Sequence, residues 1–214
     1  PVGDKPEYTA LRAALGNHAI AVVNDAGNTA DAKTLAATLA ASDGRLDAVF
    51  VNAGAAKFAA FPDVDEAPWD QIFNTNIKGP YFQVQALLPL LNPGASIVIN
   101  GSINARIGMP NTTVYAASKA AVISLAKTLS AELLPRGVRV NVLSPGPVAT
   151  PIYGKLGLDA EALEATAAQI QNQIPLGRFG TPEEIAATVL HLSSPESAYI
   201  VGTEIIADGG MSQL

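Results

Sequence analysis

Five short runs along the chain are almost continuous in aliphatic residues: AIAVV (19–23), LDAVFV (46–51), SIVING (96–101), VRVNVL (138–143) and EIIA (204–207). None alternates apolar with polar positions, so each predicts a strand covered on both faces, as in a parallel sheet between helix layers. Between them the pattern is helical, over 6–15, 30–41, 66–91, 113–135, 159–172 and 181–193. Strands alternating with helices through short connections predict an α/β fold with one doubly wound, Rossmann-type parallel sheet. The punctuation agrees. Gly16 follows LRAAL as a helix-ending glycine, and Thr181-Pro182-Glu183-Glu184 supplies an N-cap, a first-turn proline and a capping-box glutamate. No linker, repeat or low-complexity run interrupts residues 1–214, which read as a single domain.

Composition narrows the function classes. Apolar residues make up 49% of the chain and charged ones 15%, which predicts a packed core. A net charge of −6 without any Lys/Arg-rich run argues against a nucleic-acid partner. No apolar run approaches the roughly 18 residues that span a bilayer, so no membrane association is expected. The chain has no cysteine, which excludes disulfides, thiol chemistry and Cys-ligated zinc and fits a cytoplasmic protein. With only His18 and His191 available, no metal site is expected. The opening PVGDKPEYTALRAALG is polar and helix-like, unlike a signal peptide.

Candidate chemistry begins at VYAASKAA, Val114 to Ala121. On a helix Tyr115 and Lys119 stand at i and i+4 and share a face. A free tyrosine titrates near pH 10, and a neighbouring ammonium favours its phenolate, so the pair suits general acid/base work. The same two residues also suit a helix whose tyrosine packs and whose lysine is solvated. Ser102 follows SIVING and therefore lies past the carboxyl end of a predicted strand, where open α/β sheets bind ligands. Its hydroxyl could bond a substrate carbonyl as charge builds on it, or simply form a turn.

These motifs, in this order, resemble the classical short-chain dehydrogenase/reductase family. Its Tyr-x-x-x-Lys matches Tyr115 and Lys119, and its serine some dozen residues upstream matches Ser102. Its helical asparagine matches Asn76 in FNTNIKG, and its Asn-Asn-Ala-Gly matches Val51-Asn52-Ala53-Gly54 with valine first. NVLSPGPVATPI (141–152) and the tail from Pro175 to Gly210 follow the family as well, so the match runs from about residue 10 to the C-terminus.

The resemblance implies hydride transfer between NAD or NADP and a small ketone or secondary alcohol. Tyr115 would exchange the proton, Lys119 would lower its pKa and hold the nicotinamide ribose, and Ser102 would orient the carbonyl. Asn76 would anchor a water; a structural asparagine in a helix is the alternative. Asp25 would contact the adenine ring, and Asn52, Ala53 and Gly54 would line the adenosine ribose. Pro145, Gly146, Val148 and Thr150 would frame the nicotinamide. Residues 151–175 occupy the place of the family's substrate loop, with Ile152, Tyr153, Leu156 and Leu158 as an apolar lid or an ordinary surface helix. The resemblance also implies a homotetramer or homodimer, and 81–91 and 120–134 carry more apolar residues than one sheet-facing side requires.

One family feature is missing from these residues. The strand, glycine-rich turn and helix that hold a dinucleotide's pyrophosphate have no counterpart, since Gly3 is the only glycine before Gly16. The residues that choose between NAD and NADP are missing with them. Two readings follow: a reductase whose N-terminal βαβ unit is not in this chain, or a shortened, non-catalytic paralogue that serves as an oligomeric binding or scaffold protein.

Overall fold

The computed structural model describes Thr9 and residues 13–16, 19–42, 44–150 and 160–214, with side chains from 163 onward in the last stretch. The elements are α1 (Thr29–Ala41), β1 (Leu46–Val51), α2 (Glu66–Phe73), α3 (Gly79–Leu87), β2 (Leu91–Asn100), α4 (Thr113–Leu133), β3 (Arg139–Pro145), α5 (Ala160–Asn172), α6 (Pro182–Ser193) and β4 (Glu204–Ala207). All four strands are parallel and pair in the order β1-β2-β3-β4. Four of the five predicted strands and the doubly wound α/β plan are therefore present.

Helices cover the two sheet faces differently. On one face Ile97, Ile99, Val140 and Val142 pack against Val84 of α3 and Val122, Ile123 and Ala126 of α4. This layer is mainly apolar, with the buried Ser130 of α4 accepting from Val140 N at 3.4 Å. On the other face Val98 and Leu143 meet Leu192 of α6, and buried polar groups complete the contact. Ser96 Oγ donates to Leu192 O at 2.7 Å, and the buried Arg139 guanidinium donates to carbonyls of Leu192, Ser194, Ser197 and Ile200. A cation on those carbonyls satisfies the exposed end of α6 and complements its dipole. The other end of α6 has the predicted capping box between Thr181 and Glu184.

The predicted helix 66–91 is not one continuous α-helix. Residues Asn74–Lys78 form a wider π turn between α2 and α3, and Leu88–Leu90 is a 3₁₀ turn. Pro80 has no N–H to give to the preceding turn, which favours a local change of pitch there. The π turn buries Asn76 to 1% exposure. It also brings Gly79 onto the loop before α1: a Cβ on Gly79 would fall 1.8 Å from Ala26 O.

The segment AIAVV (19–23) is not a strand. It pairs with no other segment among the described residues, and Ile20 and Val23 are exposed. An extended segment becomes a strand only when neighbouring N–H and C=O groups complete its ladder, and among the described residues none does so. The outer edge of β1 is likewise unpaired among the described residues, and Ala48 and Phe50 on one of its faces are exposed. Expected burial on both faces therefore holds for β2 and β3 but not for β1. Of the predicted helix 6–15, the described residues Thr9 and 13–15 are helical, and Gly16 follows them with φ +78°. No helix among the described residues is long and apolar enough to cross a membrane, and none of their His, Asp or Glu side chains cluster as a metal site.

Candidate functional site

Parallel strands end on the same side of a sheet, so β1, β2 and β3 deliver Asn52, Ser102 and Pro145–Gly146 to one edge. Ser102 leaves β2 in extended conformation and caps the short 3₁₀ turn Ile103–Ala105, its Oγ accepting from Asn104 N at 3.2 Å. Gly101 before it is held by close packing, because a Cβ there would fall 2.4 Å from Ser144 Oγ. Tyr115 and Lys119 enter from the first turns of α4.

Burial pushes the Tyr115 pKa up, and the nearby Ser102 hydroxyl, which favours the ionised phenol, pulls it partly back. Lys119 is 3% exposed, and burial lowers its pKa to about 8. Its Nζ donates to Asn100 O at 2.7 Å and lies 5.8 Å from the Tyr115 ring centroid. Tyr115 and Lys119 share one site as their spacing predicts, and in the chain alone the ammonium's hydrogen bond goes to a backbone carbonyl.

Asn76 ties the site together from below. Its Oδ1 accepts from Ala55 N at 2.8 Å, and its Nδ2 donates to Ala55 O and to Ser118 Oγ, both at 2.9 Å. Ser118 Oγ in turn donates to Tyr115 O at 2.7 Å. Both amide hydrogens are thus committed, which leaves a second Oδ1 lone pair as the side chain's spare capacity for a water.

Asn52, Ala53 and Gly54 form an exposed turn above this network. A Cβ on Gly54 would sit 3.6 Å from both Lys119 Nζ and Asn76 Oδ1, so the glycine keeps open a cradle between those polar groups. Asn52 Oδ1 accepts from Asn100 Nδ2 at 3.0 Å, while Asn100 Oδ1 is buried without a partner. On the far side Gly146 N donates to Ala207 O. Val148 pairs with Gly180 through the flanking Pro147 O and Ala149 N, so its own N–H is turned away from that bridge. Thr150 is partly buried two residues on. Asp25 is exposed beside the N-terminus of α1, its Oδ1 accepting from Gly27 N at 2.9 Å. Ile152, Tyr153, Leu156 and Leu158 lie outside the described residues.

The structure adds residues that sequence reasoning did not reach. Asn100 and Ser118 look like strand and helix filler in the sequence, and only their hydrogen bonds give them a place in the site. Phe58 meets the Tyr115 ring edge-on at 5.9 Å between centroids and is half exposed. Its one sequence signal is an aromatic residue in an otherwise small-residue loop.

A family model described as enoyl-(acyl carrier protein) reductase matches residues 2–212. The chain is 41% identical over 170 residues to a 3-oxoacyl-[acyl-carrier-protein] reductase of Thermotoga maritima, covering 78% of this chain and 67% of that one. The chain belongs to the classical short-chain dehydrogenase/reductase family. This short-chain dehydrogenase/reductase superposes on a solved member from Serratia marcescens with a TM-score of 0.88 at 28% identity, covering 97% of this chain and 84% of the other. A blue fluorescent protein from a metagenomic library, solved with NADPH, gives a TM-score of 0.80 at 26% identity over 88% of this chain and 74% of its own. The family is one of oxidoreductases.

Proposed function

We propose that this chain carries the catalytic centre of an NAD(P)(H)-dependent oxidoreductase for ketones and secondary alcohols, with Ser102, Tyr115 and Lys119 as catalytic residues. The observation that carries the reading is one cluster: the Ser102 hydroxyl near the Tyr115 phenol, with the buried Lys119 Nζ 5.8 Å from the Tyr115 ring centroid.

The residues present fit the nicotinamide and ribose side of a dinucleotide. Lys119 Nζ borders the open cradle at Gly54, and Asn52, Ala53 and Gly54 leave room for close backbone approach. Pro145, Gly146, Val148 and Thr150 would frame the nicotinamide, and Asp25 would contact the adenine ring. The nicotinamide, when bound, supplies or accepts the hydride. In reduction Tyr115 gives its phenolic proton to the carbonyl oxygen, and in oxidation it takes the alcohol proton. Ser102 bonds the same oxygen and favours the charge that grows on it. Lys119 would hold the ribose of a bound cofactor, and its positive charge there would favour the phenolate. Asn76 fixes the backbone at Ala55 and the start of α4 and offers Oδ1 to a relay water.

The substrate class rests on the relatives: the Thermotoga protein is named as a reductase of 3-oxoacyl groups, and the partly exposed Phe58 beside Tyr115 suits an apolar chain. The neighbour solved with NADPH supports a phosphorylated or unphosphorylated nicotinamide dinucleotide as cofactor, with no selection between them. A cytoplasmic location completes the reading. Homotetramer or homodimer formation belongs to it too, but the helix face first expected to drive it is different. The apolar residues of α4 are turned to the sheet, leaving Ala120, Ser124, Lys127 and Thr128 outside, so Trp69, Tyr81 and Leu134 are the exposed apolar residues near those helices.

A second reading, a non-catalytic oligomeric scaffold, is favoured by one observation: the outer edge of β1, unpaired among the described residues, is a surface for association. The two readings separate in one assay. NADPH or NADH oxidation is followed with 3-oxoacyl thioesters and simple ketones, using the longest naturally expressed form of the protein. Turnover that disappears with Tyr115→Phe supports the oxidoreductase; no turnover with any carbonyl supports the scaffold.

A further inference from the structure

We propose that Glu204 is a positioning residue: through Arg106 and Ser144 it clamps both ends of the Ser102 turn and so sets how Ser102 meets Tyr115. This rests on the catalytic reading of Ser102 and Tyr115 above.

Glu204 opens β4, the strand farthest from β1, and its side chain is 6% exposed. One carboxylate oxygen, Oε1, accepts from Ser144 Oγ at 2.6 Å. The other, Oε2, accepts from Arg106 Nε at 2.8 Å and from the neighbouring Nη2 of the same guanidinium. A carboxylate taken out of water is costly unless it is paired and hydrogen-bonded, and this one is both. Such a group adds little net stability but fixes the relative position of everything bonded to it.

What it fixes are three segments of the candidate site. Arg106 follows the turn that Ser102 caps, and its N–H returns to Ile103 O at 2.7 Å, so the guanidinium is anchored four residues beyond Ser102. Ser144 lies immediately before Pro145 and Gly146. Its hydroxyl is also packed beneath Gly101, the residue before Ser102, closely enough that any Cβ there would strike it at 2.4 Å. The residue before Ser102 and the turn after it are therefore both held against groups bonded to one carboxylate. Ser102 itself has a loose local environment, with 3.2 Å and 3.5 Å contacts to Asn104, so its orientation toward Tyr115 is set by the turn as a whole.

The test reads the Tyr115 phenol directly and needs neither cofactor nor substrate, so its outcome is independent of whether the turnover assay succeeds. The ¹³Cζ resonance of Tyr115 is recorded in the tyrosine-labelled 214-residue protein and assigned by its loss in Tyr115→Phe. Ser102→Ala gives the displacement produced by losing the serine contact altogether. Glu204→Gln and Arg106→Met are each expected to give at least about half of that displacement, with Tyr81 and Tyr199 unmoved. The double variant is expected to move the resonance no further than the larger single effect, because the two residues act as one unit. Loss of melting temperature without movement of the Tyr115 resonance would make the network purely structural and overturn the proposal. Arg106 is half exposed, so if Glu204→Gln fails to fold, Arg106→Met decides alone by the same criterion.

Discussion

AIAVV at 19–23 and SIVIN at 96–100 read alike, five residues dominated by Val, Ile and Ala, yet they end in opposite states. In the second, Ile97, Val98 and Ile99 are at most 1% exposed, with β1 and β3 paired on either side. In the first, Ile20 and Val23 are more than 60% exposed and no ladder forms among the described residues. The difference is the neighbour. Strand propensity describes fit to a pleated, half-buried surface, and a segment with no such surface beside it stays unpaired. The same contrast divides the candidate site. Ser102, Lys119 and Asn76 are buried, Tyr115 is partly so, and each is held by neighbouring groups, whereas Asp25 and Asn52–Gly54 lie open on the surface.

The largest expected effect probes the buried half. Tyr115→Phe deletes the proposed proton donor, and turnover is expected to fall about 10²- to 10⁴-fold with the melting temperature little changed. Retained turnover would remove Tyr115 from the mechanism.

A matched pair of truncations sharpens the comparison of the two segments. Ile99→Ala is expected to cost about 2–5 kcal/mol in denaturant unfolding, the range for a fully buried aliphatic side chain. Ile20→Ala is expected to stay within about 0.5 kcal/mol, as at an exposed site. Equal losses would mean that 19–23 is covered in solution after all.

Lys119→Met tests whether the buried half holds its lysine at a cost. The folded pKa of about 8 lies below the ordinary lysine value of 10.5, so the folded state disfavours the ammonium. That penalty is fully present below pH 8 and fades as pH rises from 8 toward 10.5, where the unfolded chain also loses its proton. Lys119→Met should therefore be more stable than wild type at pH 6, by up to roughly 3 kcal/mol, less the loss of the bond to Asn100 O. The advantage should shrink by pH 10. A variant less stable at pH 6 would contradict the burial argument.

The smallest effect concerns the loop before α1. Gly79→Ala places a methyl against Ala26 O and is expected to cost about 1–3 kcal/mol. A neutral result would show that the 25–27 loop is not seated on α3.

The legible features of the sequence were those with local causes. Aliphatic runs gave β1 to β4, the Thr181–Glu184 box gave the start of α6, and i, i+4 spacing put Tyr115 and Lys119 on one face. Features that depend on distant partners were not legible. The failure of 19–23 as a strand depends on what lies beside it, and the π turn at 74–78 depends on Pro80 and on Asn76 reaching Ala55 and Ser118. The direction of the Tyr115 shift likewise depends on burial by the surrounding fold, and Lys119 meets Asn100 O across 19 residues of chain. The network around Glu204 spans 98 residues from Arg106 and leaves no trace in any short window.

The central proposal is that these 214 residues would supply the nicotinamide side of a dinucleotide site but not the glycine turn for its pyrophosphate. Calorimetric titration of the 214-residue chain with NADPH and with NADH tests it most directly. The account predicts no dissociation constant below about 10 µM for either, because no helix N-terminus in a glycine-rich turn neutralises the diphosphate. Binding tighter than that would show that Lys119, the Gly54 cradle and the Val148–Thr150 segment suffice to hold the cofactor, and would contradict the division of the site drawn here.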